Sequence, residues 1–225
     1  MTEHSEQNDQ VLNEKTAPSF NLAKEVWEWF YTIVIALIVV FFLKGYIFDI
    51  VRVDGPSMNP TLTHNDRLIV TKLNYSPEAG DIIILDANYD NRMEYYENYE
   101  YQTDKELGFF KKLLLYPKLP DDVKRKYYVK RIIGMPGDTI EIKEGSVFVN
   151  GEKLKEDYVN NSTKITDLGV RYPVTVEDGH VFVMGDNRGN STDSRSSRLG
   201  QVDFDAISGK AQFRIWPFSA IGKTN

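Results

Sequence analysis

The most hydrophobic segment of the chain is "WFYTIVIALIVVFFL", Trp29 to Leu43, fifteen residues without a charge. It is apolar on every side, a pattern that predicts a lipid-facing helix and not one packed half-buried on a core. Taken from Trp27 to Phe48 it has 22 residues, about 33 Å of helix, enough to cross the hydrocarbon of a bilayer. The only charges the extension adds are Glu28 and Lys44, both near the ends, where long side chains reach the interface. Trp27, Trp29, Tyr31 and Tyr46 are placed as interfacial aromatics. Residues 1–26 are polar and acidic without periodicity, which predicts a disordered tail. A cleaved signal peptide fits poorly: the first 28 residues carry six acids against Lys15 and Lys24, and "LKGYIFDIV" has no small-x-small site. Lys15 and Lys24 on one side balance Lys44 and Arg52 on the other, so charge does not orient the span.

Beyond Phe48 the pattern changes to short runs rich in Val, Ile, Tyr and Phe: "IFDIVRV", "DRLIVTKL", "GDIIILDA", "KYYVKRIIG", "DTIEIKEGSVFVNGEKL", "HVFVMGD" and "GKAQFRIWPF". Turn residues separate them, which predicts a mainly β domain over residues 49–225, with a hairpin turn at Asn150-Gly151. Residues 86–127 interrupt the rhythm as an inserted region. Its first half is acidic and tyrosine-rich; its second half contains "KELGFFKKLLLYPKL". One reading is a subdomain packing a small helix on the sheet, with Leu107, Phe110 and Leu114 as the inner stripe. The other is an interfacial element touching lipid headgroups through Phe109, Phe110, Lys111 and Lys112.

Composition narrows the chemistry. The 225 residues carry 27 basic and 33 acidic side chains, net -6, which gives no reason to expect nucleic acid. Cysteine is absent, removing thiol nucleophiles, disulfides and Cys-based zinc sites together. His64 and His180 are the only histidines outside the tail, so a His-rich metal site is not expected.

Ser57, in "VDGPSMNPTL", lies just past the apolar segment. A serine needs a base to act as a nucleophile. There is no G-x-S-x-G elbow, His64 follows too closely to face Ser57 easily, and His180 stands alone, so both histidines read as structural. A lysine can serve instead if burial keeps it neutral. Lys130, in "YYVKRIIGMPGD", sits where a strand pattern asks for an apolar residue. A Lys-Arg pair in a strand is also a common exposed edge device, and the spacing alone leaves both readings open. A third stretch, "GDNRGNSTDSR", is a dense polar run directly after the apolar "HVFVM". It reads either as a plain turn or as a hydrogen-bonded network propping a site, in which Asp193 and Arg195 could pair.

Together these stretches resemble the type I signal peptidase (leader peptidase) family of Ser-Lys serine proteases, in its Gram-positive-like bacterial form. "SMNPTL" matches the nucleophile motif, "GDIII" the next box, "KRIIGMPGD" the lysine box and "GDNRGNSTDSR" the last, in that order after an N-terminal anchor. The resemblance implies a membrane-anchored endopeptidase of the cell membrane, single-pass, with its catalytic domain on the extracytoplasmic face. Such an enzyme would remove signal peptides from secreted preproteins after small-x-small sites through an acyl-enzyme, without metal or cofactor, and is expected to be a monomer. Ser57 then matches the nucleophile, Lys130 the general base, Ser191 a serine that orients the lysine, and Asp193 and Arg195 a structural ion pair. Substrate would bind as an added strand, and by position Val53, Met58, Leu62, Tyr128 and Val129 would line its pockets. One departure is Gly55, where some members place a Ser or Thr hydroxyl toward the oxyanion. Two other readings are a self-cleaving repressor-type Ser-Lys protease, disfavoured by the apolar segment and the lack of a DNA-binding module, and a membrane-anchored adhesion domain.

Overall fold

The computed structural model describes residues 21–43, 47–103, 106–165 and 170–224. The chain forms two compact units, Met1–Phe42 and Leu43–Asn225. In the first, helix α1 (Leu22–Phe42) starts where Asn21 accepts hydrogen bonds from Lys24 N–H at its side chain, 3.3 Å, and from Glu25 N–H at its carbonyl, 3.1 Å. This start lies inside the expected tail; residues 1–20 are outside the described residues. The large apolar side chains described on α1 are exposed, Trp29 at 72%. The helix ends at Phe42, six residues short of the expected span; Lys44 and Tyr46 lie outside the described residues, and Phe48 already belongs to a strand. Among the described residues no helix is long and apolar enough to cross a membrane.

The second unit is mainly β, as the alternating runs predict. In chain order its strands are β1 (Phe48–Arg52), β2 (Arg67–Thr71), β3 (Ile82–Asp86), β4 (Tyr127–Gly134), β5 (Thr139–Lys143) and β6 (Ser146–Val149). They continue as β7 (Glu152–Lys153), β8 (Val174–Thr175), β9 (His180–Met184), β10 (Val202–Asp203), β11 (Ile207–Trp216) and β12 (Gly222–Lys223). Among the described residues one antiparallel sheet runs β1-β2-β11-β3-β4-β9-β10, with β12 on β11, and a smaller one runs β7-β6-β5-β8. The expected Asn150-Gly151 turn joins β6 to β7. Strand β3, "IIILD", is buried at every position because a core covers each of its faces, Ile82 and Ile84 on one and Ile83 and Leu85 on the other, so it reads as a continuous apolar run. One core holds Val53, Met58, Leu62, Leu68, Val70, Ile82 and Ile84; a second holds Ile83, Leu85, Ile132, Val181 and Val183. A third joins the two sheets through Ile133, Phe182 and Met184 against Ile140, Val147 and Val176.

The inserted region builds a small core of its own from Tyr96, Leu107, Leu119 and Val123. Its tyrosine-rich half is helix α2 (Tyr89–Thr103), and α3 (Phe109–Leu115) follows. The expected inner stripe is only partly realised. Leu107 is buried, but Phe110 and Leu114 are 76% and 75% exposed. The reason is local: α3 begins at Phe109 after an extended Gly108, so Leu107 is not on the helix and its spacing carries no phase into it. Leu115 packs inward instead.

Candidate active site

Ser57 is presented by a turn that the core holds from both sides. Val53 exchanges backbone hydrogen bonds with the next loop, its N–H to Asp66 O at 2.8 Å and its carbonyl from Asn65 N–H at 3.0 Å. On the far side of the serine, Met58 and Leu62 are fully buried. The carbonyls of Pro56 and Ser57 accept from Asn187, from Nδ2 at 3.1 Å and from its backbone N–H at 3.0 Å respectively. The turn is thereby fastened to the "GDN" start of the polar run. Among the described residues the Ser57 N–H has no acceptor.

Lys130 comes from β4, opposite Ile83 of β3. Its Nζ lies 3.0 Å from Ser57 Oγ and 3.0 Å from the Val129 carbonyl oxygen, and 4.9 Å from the centre of the Tyr128 ring. Only 2% of the residue is exposed. Burial pushes its ammonium down to about 8; Asp193 and Asp186 pull the other way, and Arg195 adds to the lowering. A large fraction of this amine is therefore neutral in mildly alkaline solution, the condition for taking a proton from a serine.

The third stretch closes the site from below. Asp193 and Arg195 form a two-point pair, Nε to Oδ1 and Nη2 to Oδ2 both at 2.8 Å, with neither side chain exposed. Asp193 Oδ2 also accepts from Gly185 N–H at 3.0 Å, and Arg195 Nη1 donates to the Arg188 carbonyl at 2.8 Å. A β-carbon on Gly185 would stand 2.3 Å from Ser191 Oγ and 2.5 Å from the Ser57 carbonyl oxygen, so only glycine lets these segments converge. Ser191 Oγ is buried beside them and has no hydrogen-bond partner among the described residues.

The pocket residues divide. Val129 and Tyr128 are half-buried near Lys130, whereas Val53, Met58 and Leu62 are 3%, 0% and 0% exposed and pack the core beneath. Apolar residues around such a turn serve equally as interior or as pocket wall, and here all three are buried. Neither histidine bonds Ser57: His64 Nδ1 accepts from Gly55 N–H at 3.3 Å, and His180 Nδ1 lies 3.0 Å from Asp178 O. Gly55 has φ +92°, and nothing lies within 4 Å of where its β-carbon would be. Its lack of a side chain answers a backbone conformation, not a lack of room.

Residue patterns left several supports unassigned. Arg131, next to Lys130 on β4, is 4% exposed and grips Asp186. Asp186 also accepts from Thr61 Oγ1 at 2.6 Å. Arg188 is 1% exposed and binds Glu156 and Thr163, the latter at 2.6 Å. A signal for Arg131 existed: an arginine between apolar strand residues must find a partner, because an unpaired buried charge is too costly. Which acid answers it is a matter of tertiary contact.

The family model described as signal peptidase, peptidase S26, matches residues 26–216. A signal peptidase I from Bacillus licheniformis is 34% identical over 216 residues, covering 92% of this chain and 97% of its own. Signal peptidase I S of Bacillus subtilis strain 168 is 35% identical over 215 residues, 90% and 95% of the two chains. Signal peptidase IB of Staphylococcus aureus strain COL is 31% identical over 215 residues, 88% and 93%. Among solved structures, a signal peptidase I from Enterococcus faecalis V583 is 22% identical with a TM-score of 0.38, covering 61% of this chain and 98% of its own.

Proposed function

The chain belongs to the peptidase S26 signal peptidases and is a type I enzyme of that family, and from that premise we propose that Ser57 and Lys130 are the pair that cuts signal peptides from secreted preproteins. The observation that carries the assignment is the 3.0 Å contact between Ser57 Oγ and a buried Lys130 Nζ. Neutral Lys130 takes the proton of Ser57 as the hydroxyl attacks the scissile carbonyl. The resulting ammonium gives that proton to the leaving amine, the mature protein departs, and the signal peptide remains as an ester on Ser57. Lys130 then takes a proton from water as it attacks the ester, and returns that proton to Ser57 Oγ as the signal peptide leaves as a carboxylate, which restores both residues. The oxyanion is received by the Ser57 N–H, which has no acceptor of its own among the described residues.

The substrate adds as a strand on β4. Strand β9 pairs with β4 only at Arg131, Ile132 and Gly134, so Tyr127–Lys130 has an unpaired edge opposite β3 among the described residues. Ile132 turns its N–H and carbonyl toward Asp81 and Gly80. By alternation Val129 turns its own toward the open edge, next to Lys130 Nζ. Val129 and Tyr128 flank the cleavage-site side chains, and Val53, Met58 and Leu62 form the packed floor beneath them. Small residues at the first and third positions before the cut suit a floor packed this tightly, with Met58 and Leu62 fully buried. Asp193 and Arg195 brace the loop under the serine, and the unpartnered hydroxyl of Ser191 orients the lysine.

Helix α1, which carries most of the uncharged run, anchors the enzyme, with the catalytic unit on the extracytoplasmic face. Support for the anchor is the uncharged run Trp29–Leu43 and the exposed apolar surface of α1. The test of the whole reading is cleavage of a preprotein whose signal ends in Ala-x-Ala. Wild type should shorten it, while Ser57→Ala and Lys130→Ala should leave it intact. Equal cutting by wild type and Ser57→Ala would reject the assignment.

A further inference from the structure

Helix α3 turns its apolar side outward. Phe109, Phe110, Leu113 and Leu114 are 75%, 76%, 59% and 75% exposed. At about 100° per residue these four fill a sector of about 140° on the helix. Lys112 borders that sector on one side and Lys111 on the other, and Leu115, which packs toward Tyr96 and Leu107, lies opposite its middle. Lys118 follows one turn later. Among the described residues none of the three lysines is ion-paired: Lys111 Nζ lies 3.4 Å from the Glu106 carbonyl, and Lys112 Nζ sits 5.2 Å over the Tyr96 ring. In a chain of net charge -6 this is a local cationic cluster around an apolar ridge.

That arrangement is the reverse of a helix that serves a soluble core, and it fits one occupant best. Aromatic and aliphatic side chains flanked on both sides by lysines match the boundary of a bilayer, with acyl chains beneath the ridge and anionic phosphates beside the cations. A second copy fits worse, because two such ridges would bring their lysines face to face within a dimer of two acidic chains. A peptide fits worse as well, because side chains 59–76% exposed enclose little of it and a helix offers no sheet edge to pair with. We propose that α3 is a membrane-contacting element: Phe109, Phe110, Leu113 and Leu114 enter the headgroup region of an anionic bilayer, and Lys111, Lys112 and Lys118 bind its phosphates. This contact belongs to the inserted region and does not depend on the roles of Ser57, Lys130 or residues 27–48.

The absence of cysteine makes a clean test available. Full-length protein carrying a single NBD-labelled cysteine at Leu114→Cys is reconstituted into phosphatidylcholine vesicles with and without phosphatidylglycerol. Tyr101→Cys, at an 89% exposed position of α2, is the aqueous reference, and Ile35→Cys reports the anchor separately. With phosphatidylglycerol present, the probe at 114 should be shielded from an aqueous quencher about tenfold better than the probe at 101, with emission shifted to the blue. Adding Lys111→Glu and Lys112→Glu, or omitting phosphatidylglycerol, should remove most of that protection. Quenching at 114 as fast as at 101 would overturn the proposal. So would protection that ignores lipid charge, that fades when protein is diluted into excess lipid, or that appears only with a peptide substrate. A protected 114 with an unprotected 35 would keep the ridge and reject the anchor; the reverse would reject the ridge.

Discussion

Arg131 holds Asp186 at two points, Nε to Oδ1 at 2.9 Å and Nη2 to Oδ2 at 2.8 Å, with 4% and 0% of the two side chains exposed. The remaining valences are also used. Arg131 Nη1 donates to Gly80 O at 2.9 Å, Thr61 Oγ1 donates to Asp186 at 2.6 Å, and the guanidinium lies 4.0 Å from the Tyr158 ring centre. One ion pair thus joins the strand of Lys130, the turn of Ser57 and the loop that carries Ser191.

Removing one partner should cost more than removing both. Asp186→Ala leaves a buried guanidinium without its carboxylate and should destabilise the fold by about 3–5 kcal/mol. An Arg131→Met, Asp186→Leu double replacement should lose distinctly less. Urea midpoints of the two variants check this; equal losses would mean that the pair is not the buried unit described.

Cleavage should rise with pH. With the Lys130 ammonium at about 8, the neutral fraction grows from about one part in ten at pH 7 to about nine in ten at pH 9. A rate measured under kcat/KM conditions should follow that curve in the free enzyme. A flat profile between pH 6 and 9 would exclude Lys130 as a base titrating there.

The same shift has a cost in stability. A lysine lowered from 10.5 to about 8 by folding binds its proton less well folded than unfolded, so below pH 8 the folded state carries the full penalty. Lys130→Met should abolish cleavage yet stabilise the protein at pH 7, by on the order of 1–3 kcal/mol. The gain should shrink as pH rises from about 8 toward 10.5. Denaturant titrations at several pH values would show it.

Gly185→Ala tests the convergence of three segments. Its β-carbon would press on Ser191 Oγ at 2.3 Å and the Ser57 carbonyl at 2.5 Å, whereas at Gly189 nothing lies within 4 Å. The first substitution should destabilise by about 1–3 kcal/mol and remove most activity; the second should stay within about 0.5 kcal/mol. Thermal melts and the cleavage assay separate the two.

Gly55→Ser would install the hydroxyl that the resemblance leads one to look for. At φ +92° the substitution should cost about 1–2 kcal/mol, and Gly55→Ala the same, because the strain is in the backbone. The added hydroxyl should not raise kcat. A rate gain for serine over alanine would show that the oxyanion lacks a donor there.

Some of this protein is written in local pattern. Period-two runs of Val, Ile and Tyr dictate strands wherever one or both faces are buried, so the β-rich domain and the Asn150-Gly151 hairpin could be read in advance. The four motifs in order pointed to Ser57 and Lys130 because such chemistry needs a serine and an amine that burial can keep neutral. Other features were not legible, since they depend on which surfaces meet. The spacing of Leu107, Phe110 and Leu114 suggested an inner stripe, but a helix starting only at Phe109 breaks that phase and leaves two of the three outside. Val53, Met58 and Leu62 are apolar whether they line a pocket or fill a core, and only packing shows that all three are buried. The sequence by itself determined most of the elements and pointed to Ser57 and Lys130. Tertiary structure alone decided that Arg131 answers Asp186, that Gly185 makes room for Ser57 and Ser191, and that burial brings Lys130 close to neutrality. These are contacts between residues far apart in the chain, and no local period encodes them.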